Sequence, residues 1–143
     1  MFAVTLVLAL SSAVSALLVA KLPDPVKDGR GVTIWNDLAF KGGQFGIPAD
    51  GHCTDLHLVY ADFNDRTRSL NTEQGYRCEF FLDHGCPTNG PRFVVGATNQ
   101  TIAVDSLRPD FDNAISSIEC TVIVGDTPAI NDPSHCEYLP GTA

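Results

Sequence analysis

The chain has 143 residues, with 17 acidic against 9 basic side chains and a net charge of −8 at pH 7. Because a nucleic-acid-binding protein needs a basic face that displaces counterions from phosphates, this balance argues against nucleic acid as a partner. It disfavours attachment to anionic membranes for the same reason.

The first predicted element is a secretory signal peptide over residues 1–20, which are almost wholly apolar and include a run of small residues over 11–16. A signal needs an apolar segment and small residues at its cleavage site, so we expect cleavage after Ala16 or Ala20. No Lys or Arg precedes the apolar run. The alternative is a membrane anchor, but serines interrupt the segment, and a span needs about 20 continuous apolar residues. We therefore predict a secreted, extracellular protein with one domain.

The rest of the chain begins with a polar linker over residues 21–31 and then changes to short apolar runs. These runs are rich in β-branched and aromatic residues, and Gly, Asn, Asp and Pro separate them, which is typical of strands. No stretch keeps helical periodicity over several turns, so an all-β sandwich or barrel is expected. Strands are predicted at 32–35, 44–47, 56–60, 78–82, 92–95, 101–104 and 118–124, with an irregular tail over 122–143.

All five cysteines follow the predicted signal peptide, and in an oxidising compartment they indicate a disulfide framework. Five is an odd number, so at least one cysteine is free or bonded to another chain. Asn99 opens an Asn-Gln-Thr sequence, which is an acceptor for N-glycosylation in a secreted protein.

The chain also repeats itself weakly. Segments 64–69 and 112–117 share a pattern of Asx and hydroxyl residues and begin 48 residues apart, while the aromatic residues Trp35 and Phe81 are 46 residues apart. Two similar offsets predict two copies of a unit of about 45 residues, a length that fits a four-stranded Greek key.

The paired segments resemble the motif Asx-Asx-x-x-(Ser/Thr)-Ser of βγ-crystallins. Segment 112–117, Asp-Asn-Ala-Ile-Ser-Ser, matches every position, whereas segment 64–69 has Arg68 where a hydroxyl residue belongs. The family's hairpin pattern, aromatic-x4-aromatic-x-Gly, is matched by 35–42, while the second hairpin has Cys86 and Thr88 in place of the second aromatic and the Gly. The resemblance, which extends to small secreted fungal proteins of crystallin type, implies one βγ-crystallin-like domain over 32–121 with two Greek keys.

The resemblance further implies two calcium sites, each built from both copies. Calcium takes six to eight oxygen ligands from carboxylates, hydroxyls, carbonyls and water. The first site would use the Asp65 carboxylate, the Ser116 hydroxyl and the carbonyls of Leu82 and Ala114.

The second implied site would use the carbonyls of Asn36 and Arg66 and the side chain of Asn113. Its hydroxyl ligand is missing, and the Arg68 charge would repel a cation. We therefore predict one competent calcium site of modest affinity and one disabled site. The alternative is that Asx and Ser side chains only satisfy turn donors, with Arg68 bonded to a carboxylate in place of the ion.

The implied fold also suggests disulfide partners. A Cys78–Cys86 bond would close the second hairpin, and Cys53 could join Cys120. Cys136 would then be the odd thiol, which leaves a monomer or a Cys136-linked dimer. Spacing alone does not decide the connectivity.

No catalytic motif of the His-Glu-x-x-His or Gly-x-Ser-x-Gly type is present, so we predict no enzyme. A zinc site from His52, Cys53 and His57 is disfavoured because an oxidised cysteine is a poor ligand and His57 lies in a predicted strand. Nothing selects Glu79 and Asp83 as a glycosidase pair. Trp35 and Phe40 are interpreted as core rather than as a sugar platform.

The function predicted from the sequence is that of a secreted, non-enzymatic, calcium-binding βγ-crystallin-like protein. Two alternatives use the same scaffold without calcium: a secreted effector or antimicrobial toxin with an unknown protein target, and a protease inhibitor acting through the loop 88–91. The acidic charge weighs against a toxin that attacks anionic membranes.

Overall fold

The protein is described here by a computed structural model, which covers residues 27–59 and 63–124 and the backbone of 136–139. These residues form two antiparallel β-sheets, which confirms the predicted all-β fold. A single turn of 3-10 helix, Leu38–Phe40, interrupts the strand order. The strands are β1 Arg30–Trp35, β2 Gln44–Pro48, β3 Cys53–Asp55, β4 Ser69–Thr72, β5 Tyr76–Phe81, β6 Arg92–Ala97, β7 Ile102–Val104, β8 Ser117–Val122 and β9 Cys136–Leu139.

The two copies of the repeat exchange one strand each between the two sheets. One sheet has the order β2-β1-β4-β7 and the other has the order β3-β8-β5-β6-β9. Strands β1–β4 make the first copy and β5–β8 the second, and each copy gives its third strand to the sheet of the other. The third strand β3 thus pairs with β8, and its counterpart β7 pairs with β4. Neither sheet is complete without both copies.

The core lies between the sheets and is filled by the inward-facing side chains of both copies. Phe80 and Phe93 stack with ring centroids 4.6 Å apart, and Phe111 meets Phe93 edge-on at 4.7 Å. Such pairs add to the free energy gained by burying the rings. Trp35 is buried and contacts Phe40 edge-on at 5.4 Å, so its interpretation as core is confirmed.

The structure differs from the sequence prediction in three elements. Residues 56–59 form a turn, because only Leu56 of the alternating leucines is buried while Leu58 is 76% exposed, and the strand is Cys53–Asp55 instead. Strand β4 was not predicted, since its sequence Ser-Leu-Asn-Thr is mostly polar, yet all four residues are buried. The tail is not wholly irregular either, because β9 pairs with β6. The first strand begins at Arg30, inside the predicted linker, and β8 ends at Val122, two residues before the predicted end of that strand.

The suggested disulfide pairing is wrong, although each of the four cysteines named is bonded. The bonds are Cys53–Cys86 and Cys78–Cys120. Cys78 lies in the middle of β5, directly opposite Cys120 of β8, and both are fully buried. Cys86 lies beyond the end of β5 and instead meets Cys53 of the exchanged strand β3. The side chain of Cys136 lies outside the described residues.

Among the residues that the structure describes, no helix is long and apolar enough to cross a membrane. Residues 1–26 lie outside them, so the signal peptide remains a prediction.

Candidate metal centre between the two copies

The two Asx segments meet across an approximate two-fold axis. The Asp65 amide donates to the Ile115 carbonyl at 3.1 Å, and the Asn113 amide donates to the Thr67 carbonyl at 3.0 Å. Asp65 and Asn113 both adopt left-handed backbone conformations, with φ of 52° and 55°. Asp and Asn tolerate this region better than most residues, which explains an Asx at the second position of each motif.

The last Ser of each motif fastens a folded hairpin. Ser69 Oγ donates to the Asp37 carbonyl at 2.6 Å and accepts from the Phe40 amide at 3.1 Å. In the second copy, Ser117 Oγ bonds its hairpin at 2.6 and 3.0 Å in the same way. The second bond comes from the amide of Cys86, which therefore stands where Phe40 stands in the first copy. A disulfide to Cys53 supports the hairpin at the position of that missing aromatic ring.

The predicted calcium ligands Asp65 and Ser116 are brought together from opposite copies. Ser116 Oγ donates to Asp65 Oδ1 at 3.2 Å, and the other carboxylate oxygen accepts from Asn64 Nδ2 at 3.0 Å. The Ser116 amide bonds the Phe81 carbonyl at 2.9 Å, which places Leu82, the next residue, beside Ser116. Ala114 belongs to the same motif as Ser116. The Asp65 carboxylate is exposed, so an ion can reach it from solvent.

The mirror half of the axis is occupied by a cation of the chain itself. Arg68 donates to both oxygens of Asp112, from Nε at 3.1 Å and from Nη2 at 3.2 Å, and its Nη1 lies 3.9 Å from Asp37. The hydrogen bonds to Asp112 raise the pKa of Arg68 above its ordinary value, so the guanidinium stays charged. The bond between Arg68 and a carboxylate, which the alternative to calcium requires, is thus present in this half.

The other residues of the mirror half serve the turns. The Asn36 side chain accepts from the Gly43 amide at 2.8 Å within the first hairpin, and the Arg66 amide donates to the Phe63 carbonyl at 3.1 Å. The Asn36 bond is a turn function of the kind that the alternative to calcium requires. The Arg66 bond has a counterpart in the other half, where the Ala114 amide donates to the Phe111 carbonyl at 3.1 Å, so it does not distinguish the two halves.

Glu79 and the loop 88–91, which the sequence analysis considered as sites, have structural roles. Glu79 is bonded to Arg77 and Arg92, so its carboxylate is committed to ion pairs. The loop 88–91 is a turn, in which the Gly90 amide bonds the Pro87 carbonyl and Arg92 bonds the Thr88 carbonyl. Asn99 is exposed between β6 and β7, where a glycan could be attached.

The sequence analysis missed one cluster of ligand-type residues: Asp55, His57 and His84 lie together. The zinc combination that it considered does not form, because Cys53 is oxidised. His57 is also not in a strand, as it follows β3 in an exposed turn. Asp55 and His84 are 29 residues apart, so no local motif could have revealed the cluster.

Comparison with known proteins identifies the fold. No protein-family model and no curated protein matches the chain. A solved structure described as bearing on the evolution of the eye lens βγ-crystallin domain fold matches with a TM-score of 0.57 and 17% identity, over 73% of this chain and 96% of that one.

Two further solved structures are less similar. A βγ-crystallin from Ciona intestinalis is 21% identical, with a TM-score of 0.47 over 62% of this chain and 95% of that one. A βγ-crystallin domain from Flavobacterium johnsoniae is 18% identical, with a TM-score of 0.48 over 66% and 98%. The match with the TM-score of 0.57 shows that the chain has the βγ-crystallin fold, as its motifs predicted.

Proposed function

We propose that this chain is a secreted, non-enzymatic βγ-crystallin-like protein that binds one calcium ion between its two Asx motifs. The observation that carries this proposal is the approach of Asp65 Oδ1 and Ser116 Oγ to 3.2 Å across 51 residues of sequence. A carboxylate and a hydroxyl from different copies meet beside backbone carbonyls, and these are the oxygen donors that calcium takes.

The donor set favours a hard cation and predicts that the site binds it with modest affinity. Only Asp65 contributes a full negative charge, and the Ala114 and Leu82 carbonyls and water would supply the remaining ligands. Because calcium affinity is set by the charge count and rigidity of the ligands, a single carboxylate predicts weaker binding than in sites with several. The net charge of −8 favours the approach of a cation.

The restriction to one ion follows from residue 68. Arg68 stands at the fifth place of the first motif, which Ser116 holds in the second, so the first copy has no hydroxyl ligand there. Its guanidinium, paired with Asp112, is a positive charge that repels a cation in this half. A neutral amide, Asn113, also replaces the expected carboxylate.

Secretion is supported by the two disulfides, because such bonds form and persist in oxidising compartments. The apolar residues 1–20 supply a matching signal. Purification of the protein from culture medium, with its N-terminus read by mass spectrometry, tests this part of the proposal.

Titration calorimetry with calcium chloride tests the site. We expect one equivalent of calcium to bind, and Asp65→Asn to abolish the binding heat because it removes the one charged ligand. Asp50→Asn is the matched control, since it removes an exposed carboxylate in the β2–β3 turn, away from both motifs. No heat with the unaltered protein, or full binding by Asp65→Asn, would remove calcium from the proposed function.

A further inference from the structure

A second group of metal-ligand side chains lies outside the Asx motifs. Asp55, His57 and His84 each offer one ligand atom, and these atoms all lie within 4.8 Å of one another. His84 Nδ1 is 2.6 Å and His57 Nδ1 is 3.6 Å from Asp55 Oδ1, and the two imidazole rings meet edge-on at 4.6 Å. We propose that this cluster binds a divalent metal ion that prefers imidazole ligands, such as Zn²⁺.

The Cys53–Cys86 disulfide holds the two ligand-bearing segments together. Cys53 lies two residues before Asp55, and Cys86 lies two residues after His84. The bond therefore links the segment that carries Asp55 to the segment that carries His84. The two Cα atoms are 5.9 Å apart. A site whose ligands are already close when the ion arrives loses less conformational entropy on binding.

Hydrogen bonds to the residues at the start of β8 hold the same two segments in position. The Leu56 amide, between Asp55 and His57, donates to the Ser116 carbonyl at 2.9 Å. On the other segment, Ser117 Oγ bonds the Asp83 carbonyl at 2.6 Å and the Cys86 amide at 3.0 Å, on either side of His84. The ligands therefore project from backbone that is anchored at two adjacent residues, Ser116 just before β8 and Ser117 at its start.

The donor chemistry favours a transition metal over calcium. Imidazole nitrogen suits Zn²⁺, Cu²⁺ and Ni²⁺, whereas calcium takes oxygen ligands. Zinc sites with three protein ligands leave a fourth position for water, and two histidines with one carboxylate are a known set of this kind. The two histidine side chains are about half exposed, at 48% and 49%, so an ion and its water have access.

The distances require little rearrangement. With metal–ligand bonds of about 2.0–2.2 Å, a tetrahedral zinc ion separates neighbouring ligand atoms by about 3.4 Å. The 2.6 Å contact between His84 and Asp55 must therefore open by roughly 1 Å, which a rotation of the exposed imidazole provides. Without an ion, that contact is a hydrogen bond between the two side chains.

The proposed zinc site is separate from the proposed calcium site, because the two share no ligand. Titration of the disulfide-intact protein with zinc chloride alone tests it. We expect one equivalent to bind, and His84→Gln and His57→Gln each to weaken binding by at least about tenfold, the lower bound seen even for outer-shell changes. His52→Gln is the matched control, because His52 is exposed and lies outside the cluster.

The imidazole resonances provide a second readout. On addition of zinc, the side-chain NMR signals of His57 and His84 should shift, while those of His52 should not. Asp65→Asn should leave zinc binding unchanged, so loss of the calcium site and loss of the zinc site are distinguishable. The absence of zinc binding would overturn the proposal, and so would zinc that binds equally well to both histidine variants, which would be an adventitious ion only.

Discussion

Residues 68 and 116 occupy equivalent positions at the fifth place of the two Asx motifs. Ser116 presents a hydroxyl to Asp65, whereas Arg68 presents a guanidinium to Asp112. One side chain thus supplies a ligand to a cation, and the other is itself a cation. Since two positive charges at contact distance repel, the difference at this one position divides a symmetric frame into two unequal halves.

The double variant Arg68→Ser/Asn113→Asp tests this difference. It gives the first motif a hydroxyl at its fifth place and gives the mirror site the carboxylate that Asp65 provides in the other half. Asn113 already has a left-handed backbone, with φ of 55°, and Asp is accepted there, as Asp65 shows at 52°. We expect calorimetry to report two calcium equivalents in place of one.

The matched control for this variant is Arg30→Ser. Like Arg68 with Asp112, Arg30 bonds both oxygens of a carboxylate, that of Asp28, and its side chain is 29% exposed, against 32% for Arg68. The control should still bind one equivalent. A double variant that also binds only one would show that Arg68 is not what disables the mirror half.

The folded hairpins are the elements that the sequence predicts best. The aromatic spacing of 35–42 and the final Ser of each motif are local signals, and the structure connects them by matching bonds in both copies. Strand β4 could not be predicted in this way, because its burial comes from its position between β1 and β7 rather than from its own residues. The order of the cysteines likewise gave no sign that Cys86 would meet the exchanged strand β3.

Ser69→Ala and Ser117→Ala test how the hairpins are held. Both serines are fully buried, and each satisfies one amide and one carbonyl of its hairpin. Their loss leaves partly buried backbone groups unpaired in both hairpins, and the buried Cys86 amide in the second, which costs about 1–3 kcal/mol of unfolding free energy. Urea denaturation should show losses of this size at both positions.

Ser106→Ala is the control for this pair, because Ser106 is exposed and lies outside the hairpins. It should change the unfolding free energy by less than about 0.5 kcal/mol. Hairpin variants as stable as this control would mean that the serines do not hold the hairpins.

The exchange of β3 and β7 is expected to make the two copies unfold as one unit. Because each sheet contains a strand of the other copy, neither copy has a complete sheet of its own. The same exchange creates the Asp55–His84 contact, since β3 carries Asp55 to the second hairpin. Sites made by long-range topology cannot be found from sequence spacing, whereas the Asp65–Ser116 pair was predicted because a repeated motif identified both partners.

Cooperative unfolding is therefore expected. Trp35, the one tryptophan of the chain, lies buried in the first copy, so its fluorescence reports the loss of that copy, while far-ultraviolet circular dichroism reports both. The two signals should change together in urea, as in a two-state transition. Separate midpoints would show that the copies unfold independently.

The most direct test of the calcium proposal is an NMR titration of the disulfide-intact protein with calcium chloride, followed through the backbone amides. Leu82 and Ser116 belong to the half predicted to bind, and Asn36 and Arg68 hold the equivalent places in the half predicted to be disabled. We predict saturable shifts at Leu82, Ser116 and Asp65, with Asn36 and Arg68 unchanged. An unaltered spectrum, or shifts centred on Asn36 and Arg68, would contradict a one-ion calcium site in this protein.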